Sequence, residues 1–193
     1  LGEDFWGCNV GSLGNRLLDY ACNVSYLARL RNRKELIVLM NKYSQIIRKL
    51  GLATTYTVFR YICTLALLRL YIKEQLNDRE IKVLSIGDGI GVLSVLIKAE
   101  LPECKIVMVD LGKTLIYQAY YMGLAYPGSV HELILGDNQR SGGDIIYCPT
   151  ESLESLNGMK FNLAININSM QEMNSNTVIR YFDFLRQNFE SQN

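Results

Sequence analysis

The stretch Val83-Leu84-Ser85-Ile86-Gly87-Asp88-Gly89-Ile90-Gly91 constrains this chain more than any other. An apolar run, short enough for a buried strand, passes into glycines spaced by two, and a helical pattern over residues 92–100 follows directly. Glycine lets the backbone turn sharply and lets a ligand approach where a Cβ would stand in the way. The helix behind such a turn points its free N–H groups, and the positive end of its dipole, back at that ligand. Roughly 20 residues further on, Asp110 ends a second apolar run, where a carboxylate can accept hydrogen bonds from both hydroxyls of a ribose.

The surrounding pattern agrees with an α/β fold. Short apolar runs at 82–86, 105–109, 144–148 and 161–167 alternate with helical patterns at 92–100 and 115–124. A last amphipathic helix is marked by Val178, Tyr181, Phe182, Leu185 and Phe189. Alternation of this kind predicts a Rossmann-like parallel sheet with helices on both faces. Residues 129–143 fit neither period and read as an insertion carrying a short strand at 130–135. Residues 1–80 are helical instead. Apolar positions recur at three and four residues over 13–30, 36–50 and 58–72, with Gly51 placed to stop the second of these helices. The expected division is thus a helical region, 1–80, acting as lid, cap or dimer surface, and an α/β domain, 81–193.

Bulk properties exclude several classes. A net charge of +1 gives no global field favouring nucleic acid or an acidic membrane. The five cysteines, Cys8, Cys22, Cys63, Cys104 and Cys148, form no C-x-x-C pair, which argues against a zinc site or a disulfide framework and fits a reducing cytosol. The most apolar stretch, 50–72, holds Arg60 and Arg69 well inside it, so it predicts a buried helix in place of a membrane span. Nothing near Leu1 has the make-up of a signal peptide, and the start reads as trimmed or disordered.

Two cofactor classes share the strand–turn–helix geometry. The dinucleotide fingerprint G-x-G-x-x-G requires glycine at position 92, where this chain has Val92, and Gly91 falls one place early. The G-x-G-x-G form resembles the methyltransferase version, whose ligand is S-adenosylmethionine, a nucleoside with a methionine tail and no pyrophosphate. Asp88, inside the turn, reads either as a partner for that ligand's ammonium group or as a solvated polar residue.

A second stretch, Phe161-Asn162-Leu163-Ala164-Ile165-Asn166-Ile167-Asn168-Ser169-Met170-Gln171-Glu172-Met173, followed by Tyr181-Phe182, resembles a bacterial family described as sugar O-methyltransferases. The resemblance extends to Val109-Asp110-Leu111 and to Tyr120-Tyr121, and covers about residues 81–189. It implies methyl transfer from S-adenosylmethionine to a sugar hydroxyl, with Gly87, Asp88, Gly89, Gly91, Asp110, Leu111 and Asn168 around the cofactor. It also implies further strands after the last helix, so the domain is expected to be truncated where this sequence stops, at Asn193. The competing readings are a methyltransferase for another small molecule, a cofactor-binding protein without chemistry, and a nicotinamide-dependent enzyme.

Transfer to a hydroxyl needs an aligned nucleophile and often a base. Glu172 has two readings, a general base at the sheet's carboxyl edge or one half of a capping box with Ser169. His131, the only histidine, is the other candidate base. Asp137 and Asp144 flank the same insertion, but no metal-ligand spacing accompanies them, so no metal is expected. Tyr117, Tyr120, Tyr121 and Tyr126 read as packing, and the basic run Arg29, Arg31, Arg33 and Lys34 as the solvated end of a helix.

Overall fold

The computed structural model describes residues 33–75, 80–136 and 142–189. The chain divides into two compact units, Leu1–Asn77 and Asp78–Asn193.

The described part of the first unit is a pair of helices, α1 (Arg33–Lys49) and α2 (Tyr56–Gln75), which pack on each other. Leu36, Leu39, Tyr43 and Ile47 recur at three and four residues along α1 and are buried, as are Val58, Ile62 and Leu65 of α2. Gly51 ends α1 in a Schellman turn: its N–H meets the Arg48 carbonyl at 3.0 Å and that of Leu52 meets the Ile47 carbonyl at 3.1 Å. Arg33 and Lys34 open α1, so they sit at a helix start and not at the solvated C-terminal end predicted for them. The helix read over 13–30, together with Cys8, Cys22, Arg29 and Arg31, lies outside the described residues. Among those residues no helix is long and apolar enough to cross a membrane.

The second unit is built on β1 (Lys82–Ile86), β2 (Lys105–Asp110), β3 (His131–Leu133), β4 (Ile145–Pro149) and β5 (Leu163–Asn166), all parallel, in the order β3-β4-β2-β1-β5. Two helices, α3 (Val92–Glu100) and α4 (Gly112–Ala125), connect strands, and a third, α5 (Ser175–Asn188), follows the last one. Strands buried on both faces read as near-continuous apolar runs, and β1, β2 and β4 do so, with Ser85 buried inside β1. Leu84 and Ile86, Val107 and Val109, Ile146 and Cys148 point to one face. There they form a core with Leu153 and Leu156 of a short 3-10 helix and with Tyr181 and Phe184 of α5. The alternate residues belong to the face that α3 and α4 cover, where Met108 meets the start of α3. The expected five runs and their helices are present. The second helix begins three residues earlier than its apolar pattern, because Gly112, Lys113 and Thr114 form a polar first turn behind an extended Leu111.

Candidate functional site

In an open parallel sheet, ligands collect at the carboxyl ends of the strands. β1 and β2 are in register, Ile86 beside Val109, so the glycine turn and Asp110 emerge side by side. The N–H of Gly87 donates to the Val109 carbonyl at 2.9 Å and ties the turn to β2.

The turn's residues do not share one role. Gly87 has φ of 67°, and a Cβ there would overlap Ser169, the residue that follows β5 by three places. Gly91 has φ of 87°, and its Cβ would lie 3.1 Å from both the Cα of Gln118 and the Cε of Met108. Both positions, predicted as cofactor contacts, are thus explained by protein packed against them. Gly89 has φ of 60° and is partly exposed.

Asp88 departs from both sequence readings. Its side chain is neither solvated nor turned out towards a ligand. It is buried and accepts the N–H groups of Leu93 at 3.1 Å and Ser94 at 2.7 Å, capping α3 from five and six residues away. Burial pushes its carboxyl up to about 7, against the pull of those hydrogen bonds, and the Asp110 charge adds to the rise.

Asp110 is half-buried at the end of β2. Its Oδ1 accepts the N–H of Leu111 at 2.8 Å and its Oδ2 accepts Gln118 Nε2 at 2.7 Å. Burial raises its carboxyl above the ordinary range, and these hydrogen bonds oppose the rise. The Gly89 N–H and the Thr114 hydroxyl act on the same carboxylate and oppose the rise as well. Leu111 beside it is 62% exposed, a bare apolar surface at the mouth of the same edge. Gln118, which sequence reasoning passed over, has no exposed surface, and its Nε2 also donates to the Gly89 carbonyl at 3.0 Å. The available signal was Thr114 and Gln118, polar residues four apart on the helix face that also buries Leu115 and Met122.

On the other side of β1, Asn166 knots the end of β5. Its Nδ2 donates to the Ile86 carbonyl at 2.8 Å and to Ser169 Oγ, and its Oδ1 accepts the N–H of Met170 at 3.3 Å. The knot holds Asn168 exposed in the left-handed region, φ 66°, the sole non-glycine residue there among the described ones. Glu172 follows in an exposed 3-10 turn, Met170–Glu172. The predicted capping box is absent. Ser169 makes no cap hydrogen bond and turns its hydroxyl towards Asn166 and Ile86, and the next helix is capped instead by Asn174, which accepts the N–H of Thr177 at 2.9 Å.

His131 does not join this group. It aligns with Ile145, Ile106 and Val83 at the opposite end of the sheet, three strands across and four residues short of Gly87. The separation is roughly 20 Å. Its Nε2 faces the Tyr126 carbonyl at 3.0 Å and so donates, which leaves Nδ1 to accept the Tyr147 hydroxyl at 2.8 Å. That occupies both ring nitrogens with structural bonds and removes His131 as a base.

Asp144 accepts the N–H of Val130 at 3.1 Å and serves the insertion's backbone, while Asp137 lies outside the described residues. Among the described residues no three His, Cys, Asp or Glu side chains come together as a metal cluster. Tyr126 packs, its hydroxyl donating to the Val95 carbonyl at 2.6 Å, whereas Tyr120 is 59% exposed. Neither a scan against known protein-family models nor a search of curated proteins finds a match for this chain.

Proposed function

We propose that the α/β unit binds S-adenosylmethionine and transfers its methyl group to an oxygen, a sugar hydroxyl. The observation that carries the cofactor is Asp88. A dinucleotide sets its pyrophosphate on the free N–H groups at the start of the helix behind the glycine turn. Here two of those donors, on Leu93 and Ser94, are taken by the protein's own carboxylate, and a phosphate would meet that charge. A nucleoside with no phosphate needs neither donor. It needs a ribose partner, an apolar surface for its base and a turn with little side chain in the way, and Asp110, Leu111 and the partly exposed Gly89 stand for these on adjoining strand ends.

The acceptor rests on the likeness of residues 161–173 to sugar O-methyltransferases. Once bound, S-adenosylmethionine supplies an electrophilic methyl group. The chain's own part is to hold the ribose at Asp110 and to fix the loop after β5 through the Asn166 knot. In the same loop Asn168 would orient the reactants, and the exposed Glu172 would take the acceptor's proton. The thiols described, Cys63, Cys104 and Cys148, are all free, which supports a reducing compartment such as the cytoplasm.

Calorimetric titration with S-adenosylmethionine, S-adenosylhomocysteine and NAD tests the reading. Binding of the first two with no heat from NAD is expected. Binding of NAD alone would overturn it.

A further inference from the structure

We infer that Gln118 is a positioning residue of this cofactor site: its buried amide ties the Asp110 carboxylate to the Gly89 carbonyl, so that Asp110 meets the ribose in one orientation. The inference rests on the cofactor reading above.

Three features carry it. Both N–H groups of the amide are used, one on Asp110 Oδ2 at 2.7 Å and one on the Gly89 carbonyl at 3.0 Å, so one side chain bridges the two strand-end loops that hold the proposed site. Turning the amide over would set its oxygen against those same two acceptors, so the donor role is forced by the surroundings. Meanwhile its Oε1 is buried with no hydrogen-bond partner. A side chain kept only to fill space between α3 and α4 would be apolar there and would orphan nothing. Gly91 makes the reach feasible, since its missing side chain brings the backbone of Gln118 within 3.1 Å of where a Cβ would stand.

An unbridged carboxylate turns about χ2 with little preference. The Leu111 N–H holds Oδ1, the Gly89 N–H and the Thr114 hydroxyl also act on the carboxylate, and the Asp88 carboxylate and the Tyr181 hydroxyl, which both sense the Asp110 charge, offer it no positive partner. Gln118 is the group that ties Oδ2 to the glycine turn.

The test uses the whole chain, S-adenosylhomocysteine as probe, and the variants Gln118→Met, Gln118→Glu, Asp110→Ala and the double variant Gln118→Met/Asp110→Ala. Gln118→Met should weaken binding by about 10- to 100-fold, the scale of a lost charge-assisted hydrogen bond. It should cost nothing further in the Asp110→Ala background, since Gln118 acts through Asp110. Gln118→Glu keeps the shape and, while protonated, a donor. Its affinity should therefore fall as pH rises from about 5 to 8, where the wild type changes little in the same direction. Independent, additive losses in the double variant, or full affinity in Gln118→Met, would overturn the inference while leaving the cofactor reading intact. Should Gln118→Met fail to fold, a flat pH profile for Gln118→Glu would overturn it equally. No binding by the wild type would remove the cofactor reading and this inference with it.

Discussion

Ser169 occupies the space over Gly87 that any side chain at that turn would need. Gly87→Ala therefore meets two penalties, an L-residue at φ of 67° and an overlap with a neighbour tied to the end of β1. A loss of about 2–4 kcal/mol in stability is expected, read as a shift in denaturant midpoint without change in slope. Adding Ser169→Gly should recover the overlap and leave the backbone cost of about 1–2 kcal/mol. Full recovery would show that the turn is unstrained.

Asp88 predicts an unusual pH dependence. Its folded carboxyl stands near 7, above the unfolded value, so the folded state holds this proton more tightly. The stabilisation is complete below about pH 4 and is lost as pH rises towards about 7. Asp88→Asn, which keeps an acceptor for the α3 start, should flatten that decline by on the order of 2–4 kcal/mol across the window. Melting temperatures from pH 4 to 8 check this, and parallel curves for the two proteins would rule it out.

At the ribose subsite, Asp110→Ala should weaken S-adenosylmethionine binding by about 1.5–3 kcal/mol. In the wild type, affinity should fall on acidification, and earlier than an ordinary aspartate would dictate, because burial raises the folded carboxyl. Titration calorimetry across acid pH separates the outcomes: Asp110→Ala should show no such fall. Gly89→Val, which puts a branched side chain at φ of 60° inside the glycine turn, should abolish binding.

Glu172 is exposed and caps nothing, so its substitution should spare the fold. If it is the base, Glu172→Gln lowers turnover by about 10²–10⁴-fold with cofactor affinity unchanged. Ser169→Ala, in contrast, should cost about 1 kcal/mol of stability through lost hydrogen bonds to the Asn166 knot. Wild-type turnover in Glu172→Gln would exclude it as base.

The sequence was most legible where one period ran uninterrupted. The apolar strand runs and the glycine turn lay where their patterns put them, because strands buried on both faces leave few polar interruptions, Ser85 being the one inside β1. Legibility failed where a polar side chain served distant backbone. Asp88 reaches residues five and six places on, which no capping pattern anticipates, and Asn166 serves a strand eighty residues away. Ser169 and Glu172 had the right spacing for a capping box, but the Asn166 knot claimed the serine first. His131 looked free because its partners, Tyr126 and Tyr147, become its neighbours only through strand order.

That eighty-residue span between Asn166 and Ile86 also sets an order of assembly in time. Pairing of β1 with β2 closes a short loop through α3, whereas β5 reaches β1 only after six intervening elements have been drawn in. Loop-closure entropy makes the distant pairing the slower one. The half of the site bearing Asp110 and the glycine turn is therefore expected to form while β5 is still undocked. Added S-adenosylhomocysteine would then accelerate refolding as well as slow unfolding, an effect that stopped-flow traces can resolve.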